Sequence, residues 1–133
     1  MSYDLAVFDP LVAPQDREAF LKWYREQVNW KNDIDYNSPD TASSEMLKAW
    51  LHEMFMEFPP MNGPMAEDID ESSDFELEVS DYSIGPYLIY VSFSWSITEK
   101  ACNACLSKAR KHGLGFFGVS HTPSEIIFPD RQF

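Results

Sequence analysis

The sequence predicts an α+β domain with a mostly antiparallel sheet of about five strands and three helices packed on one face. The predicted chain order is β-α-α-β-β-α-β-β. Two observations carry this prediction: residues 87–95 alternate with the period of a strand, and residues 44–58 repeat apolar side chains with the period of a helix. Short turns join the strands, which favours antiparallel pairing. Because 133 residues is a common size for one domain, we expect residues 1–133 to form a single core.

The first half of the chain reads as one strand followed by two helices. Residues 3–8 alternate as a strand, and Pro10 ends it because proline lacks a ladder donor. Residues 13–28 begin with proline and acids, which suit a first helical turn, and continue with an apolar stripe. Residues 31–40 are rich in turn formers and predict a loop. The helix predicted over 44–58 ends where two prolines follow.

The second half adds strands around a third helix. Residues 81–84 predict a short strand, a Gly-Pro turn follows, and residues 87–95 form the long strand. Residues 97–112 have small side chains on one face and cations in the last turn, as expected of a helix packed closely on a sheet. Residues 116–120 and 125–128 predict two short strands, and the residues after them are expected to be loose.

The long strand has two different faces. One carries apolar side chains and is predicted to form the core under the helices: Tyr87, Ile89, Val91, Phe93 and Trp95. The other is predicted to face away from the helices and carries Leu88, Tyr90, Ser92 and Ser94. Aromatic residues flanked by small polar ones are common in binding surfaces, so this second face is a candidate for contact with a partner.

Charge is the unusual bulk property of the chain. Twenty-two acids against ten Lys and Arg give a formal net charge of -12. This argues against direct binding to nucleic acid or to an anionic membrane and favours a cationic partner, although an acidic surface also serves solubility alone. No Lys or Arg occurs from residue 49 to 99, where half of the acids lie. We therefore predict that an acidic segment around 61–80 is mobile through self-repulsion.

No apolar run approaches the roughly 18 residues that a membrane-spanning helix needs. The first residues, MSYDLAVFDP, have neither a basic region nor a long apolar region of the kind found in secretory signals. We expect a cytoplasmic protein.

The two cysteines, Cys102 and Cys105, have C-x-x-C spacing, for which we favour a packing role. A zinc site needs about four ligands, and the histidines offer no matching pair. A redox site needs its first thiol near a helix N-terminus. Ser96 and Glu99 match a capping box, which would place both thiols in the second and third turns. We expect no metal and no cofactor.

Catalytic motifs are incomplete throughout the sequence. His52 precedes a glutamate on a helix, but the second metal ligand of H-E-x-x-H is replaced by Met56. A calcium loop starting at Asp68 would need a glutamate where Val79 stands. None of the three histidines has an evident acid partner. We therefore expect no catalytic residues and a protein that is not an enzyme.

Four stretches together resemble a known family: SYDLAVFDP at 2–10, FPPMNGP at 58–64, DYSIG at 81–85 and GLGFFGVS at 113–120. They are similar over most of the chain to a family of small acidic bacterial proteins of unassigned activity, which is similar to immunity proteins that neutralise bacterial toxins. The resemblance implies a cytosolic binding protein without an active site, and it transfers no catalytic residue.

The partner that we predict is a cationic protein, such as a toxin whose basic surface the chain would cover. If that toxin is a nuclease, the acids would mimic the phosphates of its substrate. The predicted partner-binding residues are Glu67, Asp68, Asp70, Glu71, Asp74, Glu76, Asp81, Tyr90, Ser92 and Ser94.

Two other functions stay open at this stage. One is a small-ligand protein or enzyme with a pocket between helices and sheet, lined by Trp23, Trp50, Tyr90 and Trp95. The other is a housekeeping domain that forms a homodimer through its sheet face.

Overall fold

The computed structural model describes residues 3–29, 34, 36, 38–58, 80–122, 124–129 and 131–132. Within them the strands are β1 Tyr3–Phe8, β2 Asp81–Ile84, β3 Leu88–Phe93, β4 Gly115–Phe117, β5 Ile126–Phe128 and β6 Arg131–Gln132. The helices are α1 Arg17–Gln27, α2 Glu45–Glu57 and α3 Thr98–Lys111. Two one-turn 3-10 helices, Pro39–Thr41 and Trp95–Ile97, precede α2 and α3.

The α+β class is confirmed. Every strand pairing in the described part of the chain is antiparallel, and the strands lie in the order β2-β3-β1-β4-β5-β6. The chain order follows the prediction through β5. The sixth strand falls in residues that we expected to be loose, because Arg131–Gln132 fold back and pair with β5. β1 lies inside the sheet, between β3 and β4.

One face of the sheet is covered by α2 and α3. Leu5 and Val7 of β1 are completely buried there against Trp50 of α2. The Trp50 indole donates a hydrogen bond to the carbonyl of Cys105 in α3, at 3.2 Å. Small residues on the inner face of α3, among them Ala101, let its backbone approach the sheet. This face is the main core of the protein.

The prediction that all three helices pack on one face is wrong, because α1 lies on the opposite face. Phe20 of α1 is completely buried, and its ring centroid lies 4.8 Å from that of Phe8 and 5.2 Å from that of Phe117. The physical reason is that β1 is apolar on both faces. Ala6 and Phe8 alternate with the residues that face α2, so the second face also needs a cover.

Gly115 is required where Phe8 fits into this second core. The two residues are direct partners in the β1–β4 ladder. A Cβ on Gly115 would lie 2.1 Å from the ring of Phe8, and that ring is completely buried among its neighbours. The absence of a side chain at Gly115 in β4 therefore makes room for the ring of Phe8 in β1.

Side-chain caps set the beginnings of two helices, at residues that the sequence did not single out: it offered Asp40, Thr41 and Ser43 as caps of the second helix, and the cap is Ser44. Asp16 accepts a hydrogen bond from the Ala19 amide at 3.0 Å, and Ser44 accepts one from the Leu47 amide at 3.2 Å. The capping box predicted for α3 is wrong. Ser96 belongs to a 3-10 turn, and α3 begins at Thr98 without a side-chain cap.

Ion pairs join α2 to α3 on the outside of the main core. Glu57 pairs with Lys108 at 2.8 Å, and Glu53 pairs with Lys111 at 2.6 Å and with His112. The hydrogen bonds from Lys111 and then His112 lower the pKa of Glu53 to about 2. The prediction that the histidines lack acid partners is therefore wrong for His112.

We expect Phe20→Ala to lower the free energy of unfolding by about 3 to 5 kcal/mol, because it opens a cavity between α1 and the sheet. Urea unfolding measures this change. Leu11→Ala is the control: its side chain is 86% exposed, so the change should stay within about 0.5 kcal/mol. An equally small effect of Phe20→Ala would contradict the packing of α1.

The Glu53 pairs predict a dependence of stability on pH. The pKa of Glu53 in the folded protein lies below its ordinary value of 4.5. The stabilisation from its ion pairs is therefore complete above pH 4.5 and is lost as the pH falls toward about 2. The difference in urea midpoint between the native chain and Glu53→Gln should therefore be largest above 4.5 and close on acidification. Glu26→Gln, at an exposed position of α1, serves as the control. A difference that does not change with pH would refute the pairing.

Candidate functional site

The predicted partner-binding residues divide into two groups. Six of them lie outside the described residues, as does nearly all of the segment predicted to be mobile: Glu67, Asp68, Asp70, Glu71, Asp74 and Glu76. The other four, Asp81, Tyr90, Ser92 and Ser94, lie in or directly after β2 and β3.

Strand register brings three of these four together. Asp81 of β2 lies directly opposite Ser92 of β3, and Ser83 lies opposite Tyr90. Asp81, Ser83, Tyr90 and Ser92 therefore form a polar block at the β2 edge of the sheet. Ser83 was missed by the sequence analysis, although its position two residues after Asp81 places it on the same strand face.

This block lies on the same sheet face as α1, so the prediction that it faces away from the helices is wrong. The described residues leave a space beside the helix at the β2 edge, where the Ile84 amide of β2 donates a hydrogen bond to the Tyr36 carbonyl at 2.7 Å. Here a groove of about 380 Å³ is lined by Asp81, Ser83, Tyr90 and Ser92 of the sheet and by Tyr24 and Val28 at the end of α1. Tyr24 and Val28 belong to the apolar stripe of the helix predicted over 13–28. That stripe was the signal in the sequence that these two side chains face the sheet.

A carboxylate from the neighbouring strand is hydrogen-bonded to one of the groove residues. Asp4 of β1 is the direct partner of Ser92, and its Oδ2 accepts a hydrogen bond from the Tyr90 hydroxyl. Burial, and then this hydrogen bond and the charge of Asp4, raise the pKa of Tyr90 well above its ordinary value. Burial and the same charge raise the pKa of Tyr24 to about 12. Both phenols therefore stay protonated at neutral pH and close to one negative charge.

Ser94 does not join the groove. β3 ends at Phe93, and the Ser94 hydroxyl caps the following 3-10 turn, with its oxygen 2.8 Å from that of Ser96. The same early end places Trp95 outside the strand, 46% exposed, and Tyr87 lies before the strand, 39% exposed. The prediction that Tyr87 and Trp95 belong to the core face is therefore wrong.

The pocket considered for a small ligand does not form from its four predicted residues. Trp50 belongs to α2 and is completely buried in the main core. Trp23 packs on the other face of the sheet, with its ring centroid 5.6 Å from that of Phe20. Trp95 tilts against Tyr3 at 5.4 Å between centroids.

A second polar cluster joins the turn between β4 and β5 to the start of β1. His121 Nδ1 lies 2.7 Å from a Glu125 carboxylate oxygen, and its Nε2 is hydrogen-bonded to the Tyr3 hydroxyl. A neutral ring that donates from Nδ1 and accepts at Nε2 satisfies all three groups. His121 thus has an acid partner, contrary to the prediction. Because these three side chains are hydrogen-bonded to one another, we interpret the cluster as a structural link between the turn and β1.

The cysteines pack as predicted. Both are free thiols in the second and third turns of α3; Cys105 is completely buried and Cys102 partly so. Burial, and then the charge of Cys102, raise the pKa of Cys105 well above its ordinary value. Among the described residues, no three His, Cys, Asp or Glu side chains are grouped so that they could hold a metal ion.

No helix in the described part of the chain has both the length and the apolar character needed to cross a membrane. Comparison of the chain with models of protein families, with curated proteins and with solved structures finds no match. The function therefore has to be argued from the site itself. The described lining of the groove consists of the carboxylate of Asp81, the hydroxyl groups of two serines and the phenol rings of two tyrosines, with Val28.

Replacing Asp4 tests how the site is assembled. In Asp4→Asn the amide oxygen can still accept from Tyr90, but the negative charge is lost. We therefore expect the pKa of Tyr90 to fall toward its ordinary value and that of Tyr24 to fall less. An alkaline titration followed by NMR of ring-labelled tyrosine measures both. Asp40→Asn, at an exposed site before α2, is the control and should change neither pKa. If Asp4→Asn also leaves the pKa values of both tyrosines unchanged, the arrangement is wrong.

Proposed function

We propose that this chain is a non-enzymatic binding protein of the immunity type, which neutralises a bacterial toxin by covering a basic surface on it. The observation that carries the proposal is the groove rich in hydrogen-bond acceptors at the β2 edge, directly after the acidic segment in the sequence. Among the described residues that line this groove there is no Lys or Arg. Its residues and the preceding acids therefore favour one kind of partner, a protein with a cationic surface.

The overall charge supports the same proposal. A net charge of -12 on 133 residues attracts a cationic protein over distance and speeds its association. The acids predicted to make contact are Glu67, Asp68, Asp70, Glu71, Asp74 and Glu76. If the toxin is a nuclease, these carboxylates take the place of the phosphates in its substrate groove. The family resemblance of four sequence stretches supports the same class of protein.

The test is to co-express this chain with the product of the neighbouring reading frame. We expect that product to arrest growth when expressed alone and the chain to restore growth by forming a complex. Neutralising the four acids Asp68, Asp70, Glu71 and Asp74 should slow association by about tenfold or more at low salt, because the steering field is weakened. Stopped-flow or surface plasmon resonance measures the rate.

The matched control removes the same number of charges elsewhere: Glu18→Gln, Glu26→Gln, Asp40→Asn and Glu99→Gln, all at exposed positions. It should slow association much less. Equal effects of the two sets would reject phosphate mimicry and leave only a general effect of net charge. A neighbouring product that is harmless, or whose toxicity the chain does not change, would overturn the immunity function.

A further inference from the structure

We infer that an apolar knob at one end of the sheet, formed by Leu11, Val12 and Tyr87, inserts into an apolar pocket on the partner; this rests on the proposed function and adds its anchor. The exposed fractions of these side chains are 86%, 42% and 39%. Phe8 and Leu88, at the adjoining ends of β1 and β3, are buried. The chain therefore passes from core to exposed apolar surface within three residues.

Strand register brings the knob together. Phe8 is the direct partner of Leu88, and the next residue, Asp9, donates its amide to the Tyr87 carbonyl at 2.9 Å. Leu11 and Val12 follow in the turn that leads toward α1. Single exposed apolar side chains are ordinary on a protein surface, whereas neighbouring ones are typical of sites that contact another molecule.

Asp9 fixes the turn that carries the knob. Its side chain is buried, and its carboxylate accepts a hydrogen bond from the Leu11 amide at 3.0 Å. Its carbonyl accepts from the amides of Val12 and Ala13, both at 3.2 Å. The ring of Pro10 holds the dihedral angle φ of the residue between them. Leu11 is thus held in place before binding, which lowers the entropy that a contact would cost.

The shape of the knob selects a concave occupant. A leucine that is 86% exposed has few atoms of its own chain around it, so the surface is convex there. Apolar surface is stabilised by removal from water, and a pocket removes a protruding side chain more completely than a flat surface does. The occupant is therefore a pocket sized for one or two side chains.

Charge and area oppose a second copy of this chain as that occupant. Two copies with a formal net charge of -12 each repel one another. Contact of knob with knob would bury three side chains from each copy, whereas a stable interface buries about 800 Å² from about 20–30 residues on each side. The same charge attracts the cationic protein of the proposed function.

The knob and the groove are close enough to contact one partner. Ser92 of the groove and Leu88, which follows Tyr87, are four residues apart in β3, a distance of about 13 Å. A partner that covers about 800 Å² contacts a surface about 30 Å across. The knob thus adds apolar burial to an interface whose groove is polar.

The first test measures the complex with the product of the neighbouring reading frame. Leu11→Ala should weaken it about tenfold or more, because burial of the leucine side chain is lost. The loss should appear in the dissociation rate, and the association rate should stay within about twofold, because charge steers association. Surface plasmon resonance measures both rates.

Two variants are controls for this test. Met56→Ala truncates an apolar side chain that is 69% exposed on α2, and it should bind as the native chain does. Leu11→Met keeps the volume and apolar character of the side chain, so it should retain most of the affinity. Urea unfolding checks that all three variants are folded. A Leu11→Ala complex as tight as the native one would overturn the inference.

A second measurement needs no protein partner. The probe is β-cyclodextrin, a soluble ring with an apolar cavity, and two-dimensional NMR follows the leucine methyl groups of the full chain. We expect saturable shifts at Leu11, with a dissociation constant on the order of 10 mM. The completely buried Leu47 is the control and should not shift. If Leu11 does not shift either, the knob is inaccessible and the inference is wrong.

Two other occupants would give different results. If sedimentation equilibrium shows a dimer that Leu11→Ala dissociates, the knob binds a second copy. If the chain cosediments with phosphatidylcholine vesicles and Leu11→Ala does not, the knob binds a membrane. Either result would overturn the inference; we expect a monomer that stays in solution.

The inference and the proposed function fail in different ways. If the neighbouring toxin is neutralised and Leu11→Ala binds it as tightly as the native chain does, the knob is wrong and the immunity function stands. If the neighbouring product binds neither form while cyclodextrin binds Leu11, the immunity function is wrong and the knob stands as a group that enters apolar pockets.

Discussion

The packing of this protein depends on β1, an inner strand that is apolar on both faces. Leu5 and Val7 are completely buried on one side, and Ala6 and Phe8 are completely buried on the other. A single layer of helices would leave the second pair in water, and burial of a phenylalanine alone is worth about 1.5–3 kcal/mol. Two layers are therefore needed, and the chain places α2 and α3 on one face and α1 on the other.

Unequal coverage of the two faces leaves the groove open. Six strands spaced by about 4.8 Å make a sheet about 24 Å wide, whereas an 11-residue helix is about 16 Å long and about 10 Å across. One helix cannot cover such a face. α1 lies over the aromatic part, near Phe8 and Phe117, and the β2 edge is left to polar side chains. The candidate site is thus the part of the second face that no helix among the described residues covers.

Asp4 lies at the boundary between these two regions. Its carboxylate accepts from Tyr90 in the groove, while its main chain is bonded in both directions to Ser120 in the turn between β4 and β5. The next residue of that turn, His121, binds Tyr3 and Glu125. Asp4 therefore links Tyr90 of β3 to described residues of the turn between β4 and β5.

Most helices and strands could be predicted from the sequence, because local residue patterns specify them. Alternation indicated β1 and most of β3, apolar periodicity indicated α2, and the paired prolines after residue 58 limited α2. The sequence could not decide which face of the sheet α1 would cover, because an amphipathic stripe shows that one side is buried but not against what. The position of α1, and with it the lining of the groove, depends on contacts between elements. Cross-strand register places Asp81 opposite Ser92, and α1 contributes Tyr24 and Val28 to the lining. Because β3 ends at Phe93, Ser94 lies outside the groove. Such contacts join residues far apart in the chain, so no local pattern records them.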